Sequence, residues 1–200
     1  MTKSDLVAKS LAEMKKIQLP PGPFVLPMPT VLVGATVNGT PNFTTVAFAG
    51  LANYSPVIVA ISVSPDHHTT AGIRANEVFS INLPGPDLVE ATDWCGTHSG
   101  KKVDKSKVFE LFSGEFENAP MIKACRLTAE CQLTETLELT PDVVFFGEVV
   151  NIYVDESAVK DGAPSWPDIA PLFFTFPDKM YWALGNRVAQ AWSVGAKFKP

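Results

Sequence analysis

Apolar residues fall in short, β-branched runs through the first half of the chain, and turn residues rather than charges cut one run from the next. Thr30 to Val37 (TVLVGATV) and Phe43 to Ala49 (FTTVAFA) flank Asn38-Gly39-Thr40-Pro41. Asn-Gly between two such runs predicts a tight hairpin. Val57 to Val63 (VIVAISV) is apolar on both sides, which predicts a central strand with both faces buried. In Val78 to Leu83 (VFSINL), Phe79, Ile81 and Leu83 alternate with Ser80 and Asn82, the period of a strand with one polar face. Cys125 to Leu139 and Val143 to Val154 are longer runs around Thr140-Pro141-Asp142, a turn that makes antiparallel pairing the simplest arrangement. The sum is a barrel of at least six strands.

Helical spacing is confined to short pieces. Residues 4–16 place Val7, Leu11 and Met14 on one face, which predicts a covering helix ahead of a proline-rich lead-in to Pro29. Thr69 to Asn76 and Asp87 to Cys95 read as further short helices, and Val108 to Phe112 as a helical turn. Beyond Asp155 the chain is rich in proline and aromatics, including Trp166, Phe174, Tyr181, Trp182 and Trp192, and is expected to pack over the barrel or across a partner. The expected organisation is one mainly β domain over residues 1–200, with peripheral helices. Residues 1–20 form its N-terminal helix and lead-in, and residues 155–200 a C-terminal covering segment.

Composition narrows the function. With 46% hydrophobic and 18% charged residues, 200 residues bury a sizeable core without disulfides or structural metal. A formal charge of -5 argues against nucleic-acid binding, which needs a basic stripe to replace counterions. Cys95, Cys125 and Cys131 are odd in number and offer neither a C-x-x-C pair nor zinc-ligand spacing, so a reducing, cytoplasmic setting is expected. The charged N-terminus lacks a signal-peptide run, and prolines cut the apolar stretch too often for a membrane span.

Chemistry concentrates at the end of an uncharged stretch. No Asp, Glu, Lys or Arg occurs from Ile17 to Pro65, so much of that stretch is expected to be covered by core, ligand or a partner chain. It ends in Asp66-His67-His68-Thr69-Thr70, where backbone N–H groups at a helix start and adjacent hydroxyls suit a phosphate. The same residues also serve a plain helix cap by Thr69 or Asp66, and both readings stand. Adjacent His67 and His68 lack the one-turn spacing of a helical metal pair, and no metal is expected. Lys101-Lys102-Val103-Asp104-Lys105-Ser106-Lys107 is either a patch that neutralises a phosphate or a solvated loop. Asn42-Phe43-Thr44-Thr45-Val46-Ala47 has residues small and polar enough for a flat ring to approach the strand backbone. Dinucleotide-fold, P-loop, nucleophile-elbow and H-E-x-x-H motifs are absent from the sequence.

Taken in order, several segments resemble the flavin reductase-like family of FMN-binding split-barrel proteins, which includes flavoredoxins. They are Pro29 to Val33, Asn42 to Ala47, Ser55-Pro56, the strand ending at Ser62, Thr69-Thr70 before Ile73, Glu77 to Leu83, and His98-Ser99-Gly100 with Asp104-Lys105. The match runs from about Pro27 to Asn151 and is weaker through Tyr181 to Gly185. The resemblance implies an antiparallel split β-barrel of Greek-key type and a homodimer with FMN at the subunit interface. It implies that Asn42, Phe43, Thr44 and Thr45 line the ring or ribityl chain, and that Ser62, His67, Thr69 and Thr70 surround the phosphate. Asn82, Ser99 and Lys105 are implied as further contacts. The implied function is an oxidoreductase passing electrons from NAD(P)H through bound FMN to a flavin or other acceptor. The alternatives are a flavoredoxin-like carrier with a protein donor and no use of nicotinamide, and a scaffold that kept the fold without the cofactor. No catalytic residue is assigned, because hydride arrival at a flavin needs no protein acid or base. The chain departs from the family at Phe48, where Trp is common, and at Pro56-Val57, where Pro-Pro is common.

Overall fold

The computed structural model describes residues 14–198. The helix expected over residues 4–16 lies mostly outside them, and residues 14–16 carry no regular structure. After a two-residue strand β1 (Met28–Pro29), β2 (Val31–Val37) turns at Asn38 and Gly39 into β3 (Thr40–Val46). Both turn residues have positive φ, 50° and 78°, which Asn and Gly tolerate better than other residues and which matches the twist of the flanking strands.

The run expected as one strand from Phe43 to Ala49 is broken. It stops at Val46, bends at Ala47 and Phe48, and restarts as β4 (Ala49–Asn53), which pairs with β5 (Ile58–Val63). Two bonds hold the bend: the Ala49 N–H donates to the Ala47 carbonyl, and the Ser62 N–H to the Phe48 carbonyl. In β5 only Ile61 and Val63 are fully buried, not both faces as expected, because the strand lies one place from the sheet edge with only β4 beyond it.

Helix α1 (His68–Asn76) packs on β2 through Gly72, where a Cβ would come within 2.6 Å of the Thr36 carbonyl oxygen. It stops at Glu77, whose left-handed φ of 55° lets its N–H close on the Ile73 carbonyl. Strand β6 (Val78–Leu83) then enters the sheet centre, and its polar face is buried rather than wet. Ser80 Oγ donates to the Pro120 carbonyl, while the Asn82 side chain donates to the Leu32 carbonyl and accepts from the Ile122 N–H.

Helix α2 (Val89–Thr97) follows a single tighter turn over Pro86–Leu88. The helical turn expected at Val108 to Phe112 is instead a loop ending in β7 (Leu111–Phe112), which pairs with β8 (Met121–Ile122). Strands β9 (Leu127–Glu138) and β10 (Val143–Val154) form the long antiparallel hairpin expected from the sequence. The remaining pieces are β11 (Val159–Lys160), β12 (Ala163–Pro164), α3 (Trp166–Ile169), β13 (Leu172–Thr175) and β14 (Met180–Ala183). The tail packs back in part, since β13 lies between β1 and β14 in a small sheet.

The main sheet has seven strands in the order β3-β2-β6-β9-β10-β5-β4, every neighbouring pair antiparallel. Its two edge strands, β3 and β4, are consecutive in the chain and joined by the Ala47-Phe48 bend, and since every other neighbouring pair is hydrogen-bonded the opening of the split barrel lies between these two. The core inside includes Val33, Ile61, Ile73, Phe79, Val143 and Phe145. A second cluster, with Leu32, Phe43, Cys95 and Ile122, fills the space between the outer face of β2 and β3 and helix α2. All three cysteines are unpaired and buried, and burial pushes the Cys95 thiol up to about 11. No helix among the described residues is long and apolar enough to cross a membrane.

Candidate cofactor site

His67, not Thr69 or Asp66, is the N-cap of α1, and no side chain caps the helix. The first N–H groups of a helix have no intrahelical acceptor, so this end is left able to bind an anion. The Thr69 and Thr70 hydroxyls are turned inward. Thr69 Oγ1 accepts from Asn42 Nδ2 at 2.6 Å, and Thr70 Oγ1 donates to the Ser64 carbonyl at 2.9 Å.

A cleft of about 210 Å³ opens between the start of α1, strand β3 and the end of α2, bordered by Asn42, Thr44, His67, Thr69, Ser99 and Lys105. A wider one of about 430 Å³ adjoins it along the Gly100 to Asp104 loop and shares Asn42, His68 and Lys105. Gly100 lets that loop close on β3, because a Cβ at that position would sit 2.0 Å from Asn42 Oδ1.

Lys105 separates itself from the other lysines of its loop. Lys101, Lys102 and Lys107 are exposed, but Lys105 is 3% exposed and gives its ammonium to the carbonyls of Phe43 at 2.8 Å and Cys95 at 2.7 Å. No carboxylate among the described residues pairs with it. A buried cation held only by neutral dipoles is costly, and an anionic ligand relieves that cost. Burial lowers the Lys105 pKa. Burial and then the Lys105 charge lower that of His67, which lies 3.5 Å from Thr44 Oγ1 through Nδ1. Lys105 is the lysine that borders the cleft.

Five other residues implied by the resemblance do not border this cleft. The Phe43 ring is in the core, 5.7 Å edge-to-face from Phe109, and only its carbonyl reaches Lys105. Thr45 faces α2 and donates to the Thr92 carbonyl. Ser62 is half-buried in β5, Thr70 lies under the helix start, and Asn82 is fully buried with its amide consumed by structural bonds. Conversely, Gly96 and Thr97 border the cleft without having been singled out, since nothing in their local pattern sets them apart from an ordinary helix end.

The fold is shared with a putative flavin reductase with a split barrel domain from Shewanella frigidimarina, at 22% identity and a TM-score of 0.72, over 82% of this chain and 85% of that one. Residues 25–180 match the family described as "Flavin reductase like domain", and the chain belongs to that family. Among solved structures it is similar to flavoredoxin from Methanosarcina acetivorans, at 39% identity and a TM-score of 0.88, covering 92% of this chain and 98% of that one. Flavoredoxin of Desulfovibrio vulgaris (Miyazaki F) is 30% identical with a TM-score of 0.85, covering 91% and 100%. An FMN-binding protein from Thermus thermophilus shares the fold at 22% identity and a TM-score of 0.75, over 89% of this chain and 99% of that one. The chain spans about half the length of a curated relative from Aeropyrum pernix, an uncharacterized protein 28% identical over 127 residues, which is 62% of this chain and 48% of that one.

Proposed function

We propose that the cleft holds FMN and that the protein is a flavin-dependent oxidoreductase moving electrons from NAD(P)H to a flavin or other acceptor. The observation that carries the cofactor assignment is Lys105, a buried ammonium with no anionic partner, beside an uncapped helix start. The donor set fits a phosphate ester: Lys105, the first N–H groups of α1, and the Ser99 hydroxyl at the mouth. In this reading Asn42 and Thr44 face the ribityl chain, and His67, kept neutral, offers a hydrogen bond rather than a charge. Ser62, Thr70 and Asn82 act behind the site, fixing the strands and helix start that the cofactor touches. Bound FMN supplies the redox chemistry, while the chain binds and orients it.

A homodimer belongs to the same reading. β4 leaves one edge unpaired and exposes Gly50, Leu51 and Ala52, and Leu51, Tyr54 and Ile152 are 65%, 86% and 57% exposed. An uncharged, apolar edge is what a second subunit covers and what a lone chain normally guards against.

A second reading, a carrier that takes electrons from a protein and ignores nicotinamide, is favoured by the likeness to two flavoredoxins. Anaerobic titration of the yellow protein separates the two. Bleaching by NADH or NADPH supports the reductase, and a spectrum unmoved by either supports the carrier. Colourless protein that does not quench added FMN overturns both.

A further inference from the structure

Past β14 the chain leaves the small sheet, and from Val188 to Phe198 no hydrogen bond or ion pair among the described residues ties it to the rest of the fold. Its bonds are internal: the Val194 N–H and the Ser193 hydroxyl both donate to the Gln190 carbonyl, and the Ala196 and Phe198 N–H groups donate to the carbonyls of Ser193 and Gly195. Yet the segment is apolar. Val188 and Trp192 are 98% and 105% exposed, and Val194 and Phe198 are exposed with them. Trp192 also adopts a left-handed φ of 58°, uncommon for so bulky a residue. Such a backbone state persists where its surroundings hold it, and this chain supplies nothing around Trp192 but its own turn. Segments that stay unfolded in solution are poor in large apolar side chains, so this one calls for a cover on another molecule.

The charge pattern describes that cover. From Lys179 to the C-terminus the sequence holds four of the 16 basic residues, Lys179, Arg187, Lys197 and Lys199, and none of the 21 acidic ones. A cationic, apolar segment fits an apolar surface that carries carboxylates. This chain has such a surface beside β4. Leu51, Tyr54, Val150 and Ile152 are exposed there, as is Glu148, which has no ion-pair partner among the described residues. The face is continuous, because Ile58 of β5 is paired with Asn53 of β4 on one side and with Glu148 of β10 on the other. The segment also starts near it: β1 lies against β4, and β13 and β14 extend from β1. The chain's own segment leaves this face bare, whereas a two-fold arrangement lets each copy cover the other.

We propose that residues 188–198 are an exchanged arm, lying across the β4–β5–β10 face of a second copy of this chain, with Trp192 as apolar anchor and Glu148 as counter-charge. The arm rests on the dimer read above. The test places the photoreactive residue p-benzoylphenylalanine at position 192 of the full chain, mixes unlabelled and 15N-labelled protein, irradiates, and sequences the cross-linked peptides. Mixed-label pairs that end in residues 49–63 or 143–154 are expected. In sedimentation, Trp192→Ala should raise the dimer Kd about tenfold or more, Trp192→Phe should recover most of the loss, and Glu148→Lys should weaken the dimer as well. A chain ending at Arg187 should lose as much, with its far-UV dichroism unchanged. Same-label pairs alone, or no pairs, overturn the arm, and a dimer just as tight without residues 188–200 overturns it while leaving the dimer standing. A parent that is monomeric at every concentration sinks both. Trp192-dependent binding to phosphatidylcholine–phosphatidylserine vesicles, without mixed-label pairs, gives the segment to a membrane surface and overturns the proposal.

Discussion

Lys105 donates its ammonium to the carbonyl oxygen of Phe43 at 2.8 Å, although the two are 62 residues apart and one lies in a lysine-rich loop while the other is a core strand residue. This contact fastens the loop onto β3 and fixes a positive charge under the cleft. Lys105→Met keeps the length of the side chain and removes the charge. FMN affinity should fall by about 1.5–3 kcal/mol, the range for a hydrogen bond to a charged group. Fluorescence-quenching titration measures it, and an unchanged affinity would remove Lys105 from the site.

Gly100→Ala asks whether the loop needs its close approach. The added methyl meets Asn42 Oδ1, so the Asn42 amide must shift, which disturbs the bond its Nδ2 donates to Thr69 Oγ1. FMN retention should fall while thermal unfolding shifts by only a few degrees, because the clash lies at the rim and not in the core.

Thr69→Val leaves the Asn42 amide buried without its acceptor. The expected cost is about 1–3 kcal/mol of folding stability, read from urea denaturation. A variant as stable as the parent would mean that Asn42 finds another partner.

Glu130 is fully buried and ties the 113–119 loop to β9 and β10. Its carboxylate accepts from the N–H groups of Glu115 and Phe116 and from the Asn151 and Tyr153 side chains. Burial pushes its pKa up, but these donors outweigh burial and hold it below the usual carboxylate range. A carboxylate with a lowered folded-state pKa binds fewer protons than its unfolded counterpart, so its stabilisation is complete above the usual carboxylate pKa. It is lost as pH falls through the lowered value. Glu130→Gln should therefore flatten the acid limb of stability against pH, measured by denaturant midpoints from pH 3 to 7 in about half-unit steps.

Leu51→Arg puts a charge on the exposed face of β4. If β4 is the subunit contact, sedimentation should show a monomer where the parent is a dimer, with far-UV dichroism unchanged. A monomeric parent would discard the dimer.

The elements set by local chemistry were legible. Asn38-Gly39 specifies its hairpin, and the β9–β10 pair is long and closed by a short turn. What escaped was set by distant partners. The break at Ala47-Phe48 lacks Gly or Pro, so the strand pattern runs through it unmarked. Alternation placed Ser80 and Asn82 on one face of β6, but whether that face is wet depends on Pro120 and Ile122, some 40 residues on. Within the site the cluster around His67 was readable as a helix start. The distinction between Lys105 and its three exposed loop neighbours was not, since a run of lysines carries no periodicity that says which one turns in.

The bend between β3 and β4 gives the barrel a covalent seam. Sheets usually fray from two independent margins, whereas here a single dipeptide joins both. Amide exchange in Asn42 to Val46 and in Ala49 to Asn53 should therefore rise together when the protein is mildly destabilised, the two margins parting like the halves of one clasp.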